Sequence, residues 1–282
     1  MRPPADRTTV ITGATDGLGS ALASELAASG ATLVLHGRDD DRGRATIEAI
    51  REATGNERLE WQRADLGSLD EVAELGERIA AEHDRIDALV NNAGIGVTVP
   101  GGGARMESRD GHELRFAVNY LAHFALTMRL LPVLVGSAPA RIVSVSSAGQ
   151  APIDFDDVML EREYNGVQAY CQSKLAQVMM TIDLGAELRD AGVTANCLHP
   201  ATYMPTKMVT RAGISPASSL AQGTSATLRL VADPDLDGVS GRYFDGEAES
   251  RAHPQAYDEG ARRRLRELSE RLVTATVPRS DG

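Results

Sequence analysis

The chain has 282 residues, 42% of them hydrophobic and 24% charged, enough to bury a full core as one large α/β domain. Its 40 acidic against 29 basic residues give a net charge of −11, which argues against a nucleic-acid binder, since such a protein needs a basic face. No apolar run approaches the ~18 residues of a membrane span, Met1 to Arg7 lacks the form of a signal peptide, and two cysteines with six histidines make neither a disulfide framework nor a metal-ligand spacing. A reduced cytoplasmic location, with no membrane contact and no metal, is the expectation.

Taken in order, the chain predicts a short strand, Thr8 to Thr12, running into Gly13-Ala14-Thr15-Asp16-Gly17-Leu18-Gly19. A helix follows to about Ser29, with Leu18, Leu22 and Leu26 at spacings of four. Strand, glycine-rich turn and helix together present backbone N–H groups and a helix N-terminus to a pyrophosphate. The spacing is GxxxGxG, which differs from the GxGxxG dinucleotide fingerprint. A second strand, Ala31 to His36, ends in Gly37-Arg38-Asp39. That is where a nucleotide fold meets the adenosine ribose: an acid accepts from a 2′-hydroxyl and an arginine accommodates a 2′-phosphate. Arg38 and Asp39 compete for the role, and Asp39 is equally suited to capping the next helix.

The alternation continues with a helix from Asp41 to Thr54, a strand near Leu59 to Ala64 that delivers Asp65-Leu66, a helix from Ser68 to Glu82, and a strand from Ile86 to Val90 ending in Asn91-Asn92-Ala93-Gly94. Strands alternating with helices of this length predict right-handed parallel crossovers and a Rossmann-type doubly wound sheet of about seven mainly parallel strands. Ligands bind such sheets at the carboxyl ends of the strands, where Asp65 and Asn91 to Gly94 fall. Ile95 to Gly111 reads as a glycine-rich flexible loop. A long helix, about His112 to Leu134, carries Asn119, a mediocre helix former able to open the helix locally or to hold a water.

Ala140 to Val145 predicts a further strand, ending in Ser146-Ser147. Beyond it lies Tyr170-Cys171-Gln172-Ser173-Lys174. Tyrosine and lysine four residues apart share a helix face, and a neighbouring ammonium favours phenolate. The chain has only two lysines, Lys174 and Lys207; where arginine is the usual cation, a lysine here points to a required compact charge. Serine, tyrosine and lysine can converge over one site, where the serine and tyrosine suit hydrogen-bond donation to a carbonyl oxygen. No GxSxG elbow and no adjacent histidine support an acyl hydrolase.

These motifs make the chain resemble a short-chain dehydrogenase/reductase over nearly its whole length, and most closely the retinol-dehydrogenase-like branch. Gly13 to Gly19 resembles the family's TGxxxGxG turn and Asn91 to Gly94 its NNAG turn. Asn119, Ser147, Tyr170 and Lys174 resemble its catalytic tetrad, and Gly241-Arg242-Tyr243-Phe244 before a C-terminal helix resembles the branch. The resemblance implies that Tyr170 exchanges the proton, that Lys174 holds the nicotinamide ribose and depresses the Tyr170 pKa, that Ser147 polarises the carbonyl, and that Asn119 holds a water reaching Lys174. It implies NADP(H) before NAD(H), because Gly37 stands where NAD-using relatives carry an aspartate and Arg38 follows. Asp16 stands where some NADP enzymes carry a basic residue. The implied cofactor contacts are Gly13, Thr15, Asp16, Gly17, Leu18, Gly19, Arg38, Asp65, Leu66, Asn92, Ala93, Gly94, Tyr170, Lys174, Pro200 and Thr206.

After a strand from Val193 to Leu198 the chain departs from the family. It reads Pro200-Ala201-Thr202-Tyr203-Met204-Pro205-Thr206 where relatives carry Pro-Gly and then a hydroxyl residue about five positions past the proline. The backbone there must differ, with Thr206 taking the contact to the carboxamide. A single domain is expected over 1–282, with a lid over about 201–222 and a C-terminal helix over about 254–275. Tyr203, Met204 and Met208 suit a bulky, partly apolar carbonyl or alcohol substrate. Membrane-bound members of the branch carry an N-terminal anchor that is not read here. A homodimer or homotetramer is expected by resemblance, and Arg279 to Gly282 as a frayed end. A reductase of C=C bonds and a non-catalytic nucleotide sensor are the alternatives on the same scaffold.

Overall fold

Parallel strands alternate with helices from Thr8 to Asp245 in the computed structural model, which describes residues 2–97 and 104–276. The strands are β1 (Thr8–Thr12), β2 (Thr32–Gly37), β3 (Leu59–Arg63), β4 (Ala88–Asn91), β5 (Ala140–Val145), β6 (Val193–His199), β7 (Arg242–Asp245) and β8 (Ala248–Ser250). They form one sheet in the order β3-β2-β1-β4-β5-β6-β7-β8. All pairs are parallel except β7 with β8, which is antiparallel. The order reverses between β1 and β4, so a crevice opens beyond their carboxyl ends, where the glycine turn and the Asn91 to Gly94 turn meet.

Central strands of a parallel sheet are covered on both faces and read as continuous apolar runs. Val10, Ile11, Leu33, Val34, Leu89 and Val90 are all fully buried. On one face lie α1 (Gly17–Ala28), α2 (Asp40–Thr54) and α8 (Leu220–Ala232), which supply Leu22, Leu26, Ile47 and Leu230 to one apolar layer. The other face holds α3 (Leu69–Glu82), α5 (Ala122–Gly136), α6 (Gly166–Glu187) and α9 (Glu259–Thr276), which supply Leu75, Ile79, Phe124, Leu130, Val178 and Leu265 to the second. Two short helices complete the set, α4 (Leu114–Phe116) and α7 (Lys207–Arg211).

Capping follows the residue types. Asp39 accepts from Arg42 N at 3.1 Å at the start of α2, and Gly55 ends that helix in the left-handed region. Of its two expected roles, the cap of this helix is the one Asp39 fills in the structure. The small strand β8, absent from the sequence-based reading, is exposed along its length. Three exposed residues, Ala248, Glu249 and Ser250, carry no burial pattern by which to find it.

The long helix differs from expectation in two ways. It begins at Leu114, after Glu113 caps Phe116 N at 2.8 Å, and residues Ala117–Leu121 form a π-helical turn between α4 and α5. Its 23 residues, Leu114–Gly136, with mean hydropathy 1.4, are long and apolar enough to cross a membrane. The expectation of no segment of that kind is therefore corrected. In this fold the helix packs on α3 and the sheet, with Leu126, Leu130 and Leu134 fully buried. Part of the expected loop from Ile95 to Gly111, residues 98–103, and the expected frayed end lie outside the described residues.

Helix α6 passes so close to the turn before β7 that a Cβ on Gly185 would stand 2.4 Å from Gly241 N, an amide already donating to Ala195 O at 2.7 Å. Backbone on both sides leaves no soft neighbour. Gly185→Ala is expected to destabilise the fold by about 1–3 kcal/mol through overpacking, read as a lower urea midpoint at unchanged slope. A loss under about 0.5 kcal/mol would show that this turn yields.

Candidate active site

The glycine turn is shaped by contacts that exclude side chains. A Cβ on Gly13 would lie 2.7 Å from Ala93 Cα, and one on Gly19 would lie 2.3 Å from Gly13 O. Gly13 and Gly17 have φ of 69° and 51°, which glycine adopts without strain. Asp16 caps α1 by accepting from Gly17 N at 2.8 Å. The amides of the first helical turn then point outward without intrahelical acceptors, the arrangement that receives a phosphate.

Two residues outside the expected set build this turn. Thr12 Oγ1 accepts from Asn92 N at 2.9 Å and Ala93 N at 3.0 Å, while Asn92 Nδ2 donates to Thr12 O and Gly13 O. His36, fully enclosed, sits between Gly13 N at 3.4 Å and Ala64 O at 3.1 Å. Their signal in the sequence is a polar residue at the carboxyl end of each buried strand.

The four tetrad residues come together at the carboxyl ends of β4 and β5. The Ser147 hydroxyl accepts from Gly149 N at 3.0 Å and is hydrogen-bonded to the Tyr170 phenol. Ser146 points the other way, donating to Lys174 O at 2.8 Å, so of the serine pair Ser147 faces the site. Lys174 Nζ donates to Val145 O and to Gln177 Oε1, each at 2.9 Å, and lies 5.9 Å from the centre of the Tyr170 ring. Asn119 lies in the π-helical turn. Its Oδ1 accepts from Ile95 N at 2.8 Å, and its Nδ2 donates to Ile95 O and Ser173 Oγ. The asparagine sits where the helix opens locally, and its side chain ties the loop after Gly94 to α6.

Burial decides the charges. Lys174 is pushed down to about 7 by desolvation. The Tyr170 phenol is raised, because burial outweighs the Ser147 hydrogen bond. The expected depression of Tyr170 by Lys174 is thus not what this arrangement gives. A lysine near 7 is only partly charged at neutral pH, and its ammonium is aimed at a carbonyl and an amide. Asp16 behaves oppositely. Burial would raise it, but the Lys207 hydrogen bond, the Gly17 amide and the charges of Lys207 and Arg42 hold it below the usual carboxylate range.

The family model for short chain dehydrogenases matches residues 7–215. Retinol dehydrogenase 13 of Homo sapiens is 39% identical over 290 residues, covering 96% of this chain and 86% of that protein. The chain belongs to the short chain dehydrogenase family. Among solved structures, a Mycobacterium paratuberculosis protein shares 30% identity with a TM-score of 0.76, covering 95% of this chain and 94% of that one. A short chain dehydrogenase from Shigella flexneri 2a, complexed with NADP, shares 29% identity with a TM-score of 0.69, covering 86% and 97%.

The departures of this dehydrogenase from its family gather in the lid. Tyr203 takes a left-handed φ of 47° and is half exposed, a conformation uncommon for a bulky residue. It turns the chain so that four successive contacts close over the turns below. Met204 packs on Gly223, Thr206 on Gly17 and Met208 on Gly96, and Lys207 pairs with Asp16 at 2.7 Å. Pro200 is buried at the end of β6, beside Gly223. Arg42, missed from the sequence, reaches Thr15 O at 3.1 Å and Asp16 at 3.2 Å. Arg38 is exposed beside it with no ion pair or hydrogen bond among the described residues. Asp65 closes its own turn by accepting from Gly67 N at 2.9 Å, and Leu66 is buried. A recess of about 640 Å³ between Arg141, Arg189 and Arg242 opens at the opposite edge of the sheet and takes no part in the site.

Two histidines beneath the site are held neutral by burial: His36 is lowered to about 4 and His123 to about 3. The unfolded chain binds protons at both below about 6.5, while the folded chain does not. Stability therefore falls as pH drops from about 6.5 toward 4, by about 1.4 kcal/mol per pH unit for each group at full slope. Lys174 acts with the same sign at alkaline pH, where stability rises from about 7 to its unfolded value near 10.4. Urea midpoints between pH 5 and 8 check the acid limb, and His123→Gln is expected to flatten it.

Proposed function

We propose that the protein is an NADP(H)-dependent oxidoreductase that interconverts an alcohol and its aldehyde or ketone on a bulky, partly apolar molecule. The observation that carries this reading is the convergence of the Ser147 hydroxyl, the Tyr170 phenol and the Lys174 ammonium beside Gly94 and the glycine turn. The residues present fit the dinucleotide. Gly13, Gly17 and Gly19 leave a cradle that a Cβ would fill, and the buried Lys174 has one N–H beyond the two that it donates to Val145 and Gln177. Arg38 and Arg42 stand after β2, where a 2′-phosphate is accommodated. The NADP complex of the similar Shigella protein supports the same choice.

When bound, the nicotinamide supplies or takes the hydride. The chain's own groups do the rest. Ser147 and Tyr170 donate hydrogen bonds to the carbonyl oxygen and so stabilise the charge that develops there. Tyr170 gives its proton in reduction and takes it back in oxidation. Burial raises the phenol, so it is fully protonated at neutral pH and serves first as an acid. Lys174 holds the ribose. Asn119 keeps the loop after Gly94 in place through both groups of Ile95. Gly13, Thr15, Asp16, Gly17, Leu18 and Gly19 receive the phosphates, with Asn92, Ala93 and Gly94 beneath them. Pro200 and Thr206 cover the nicotinamide end, and Asp65 with Leu66 the adenine end.

The mouth of the site supports the substrate class. Val97, Val167, Tyr203, Met208 and Ile214 are large apolar side chains left exposed around the lid and the facing loops. Such a rim suits a lipophilic molecule. The name of the human relative, retinol dehydrogenase, agrees with an apolar alcohol.

Purified protein is expected to consume NADPH with bulky apolar aldehydes or ketones. Tyr170→Phe should lower kcat/KM by about 100-fold or more. Arg38→Ala should raise the KM for NADPH by about 10-fold, the value of one charge-assisted contact, and leave that for NADH unchanged. Unaltered turnover in Tyr170→Phe, or a preference for NADH, would contradict the reading.

A further inference from the structure

Lys174 is held by residues outside the tetrad. One anchor is Val145 O and the other is Gln177 Oε1, both at 2.9 Å. Lysine only donates, so the carbonyl end of the Gln177 amide must face it, and the amide's Nε2 must face away. That Nε2 lies 3.2 Å from His123 Nδ1, and His123 Nε2 lies 3.3 Å from Thr12 Oγ1. Thr12 Oγ1 receives the amides of Asn92 and Ala93. Gln177, His123 and Thr12 have no exposed surface. We infer that Gln177 and His123 are positioning residues that hold the Lys174 ammonium in register with the Asn91 to Gly94 turn through one unbroken buried chain of side chains. The inference rests on the role given to Lys174 under Proposed function.

The chain of donors is complete in one direction. Lys174 donates to Gln177, Gln177 to His123 Nδ1, His123 Nε2–H to Thr12 Oγ1, and Thr12 to Val90 O at 3.3 Å. Burial keeps the imidazole neutral, so it carries one proton, and its position selects between two arrangements. With the proton on Nδ1, the ring serves Asn119 O at 2.9 Å instead. With the proton on Nε2, the chain is unbroken, at the cost of setting the Nδ1 lone pair 2.9 Å from the Asn119 carbonyl oxygen. The need for such a chain is entropic. A long lysine stem loses much of its rotamer freedom when it is fixed. A single acceptor would leave the ammonium free to swing about Val145 O, and a second, one helical turn away on α6, removes that freedom.

Gln177→Leu deletes the second anchor, and Gln177→Glu keeps an acceptor toward Lys174. In Gln177→Leu, NADPH is expected to dissociate at least about 5-fold more readily by nucleotide fluorescence. Its kcat should fall at least about 10-fold, while KM for the carbonyl substrate stays within about 2-fold. Gln177→Glu should recover most of the kcat. In the nucleotide-free protein, the Tm of Lys174→Met/Gln177→Leu should differ from the sum of the single shifts by about 2 °C or more. A purely structural glutamine would lower Tm with additive shifts and unchanged kinetics per folded molecule, which would overturn the inference. Wild-type protein that neither binds NADPH nor turns over would instead defeat the proposed function, and the additivity of the two Tm shifts would still decide whether the anchor exists.

Discussion

Two backbone amides, those of Asn92 and Ala93, end on one hydroxyl, Thr12 Oγ1. The site depends on that junction. β1 and β4 are adjacent parallel strands, but their carboxyl ends carry turns that must diverge to make a crevice. Buried amides at such a divergence need acceptors, and Thr12 supplies one for two of them. The same closure brings Ala93 Cα against Gly13, where any Cβ would collide at 2.7 Å. A threonine at the end of β1, a glycine after it and a small residue in the second turn are therefore one constraint. The phosphate turn and the nicotinamide side of the crevice cannot shift independently.

Electrostatics in the crevice run against the chain's overall sign. A protein of net charge −11 binding a polyanion must concentrate its cations locally. Arg42 and Lys207 gather at the glycine turn, with Arg38 at the neighbouring end of β2, and Asp16 is partly neutralised by its pairs with Arg42 and Lys207. These pairs are half exposed, so each contributes little to stability. Their consequence is positional. Asp16 draws Lys207, and with it the lid helix α7, over the phosphate turn. It also draws Arg42 toward the place that the exposed Arg38 shares. An aspartate that looks unfavourable for NADP in the bare sequence organises two cations around the site.

The sheet, the order of its elements and the tetrad were legible because each rests on local rules. Glycine turns follow strands, apolar periodicity marks helices, and Tyr170 and Lys174 share a face by their spacing. Ser147 over Ser146 was chosen by resemblance, and in the structure Ser146 Oγ is spent on Lys174 O. What the sequence left hidden depends on contacts between distant residues. Arg42 beside Thr15 and His123 against Gln177 are pairings across elements that no periodicity encodes. The direction of the Tyr170 pKa was misjudged for a related reason. A charge four residues away is visible in a sequence, but the burial that discharges it is not.

The substrate side is governed by a second buried cluster, unlike the first in kind. Arg115 and Glu113 form an ion pair at 3.2 Å with no exposed surface on either side chain. Removing two charges from water is costly unless every hydrogen bond is met. Here they are: Arg115 donates to Gly96 O, Val97 O and Tyr164 Oη, and Glu113 accepts from Phe116 N and Tyr164 Oη. The pair thereby ties three separate segments: the loop leaving Gly94, the entry to the Asn119 helix and the loop entering the Tyr170 helix. The catalytic end is fixed by a neutral network around His123, and the rim by a charged one around Arg115. Asn119 joins them, because its Oδ1 and Nδ2 hold Ile95 one residue before Gly96. The apolar rim residues Val97 and Val167 stand on backbone next to what Arg115 grips. Met204, Thr206, Lys207 and Met208 instead rest on Gly223, Gly17, Asp16 and Gly96. One side of this rim is therefore built into the core, and the other, residues 203–208, is latched to the glycine turn.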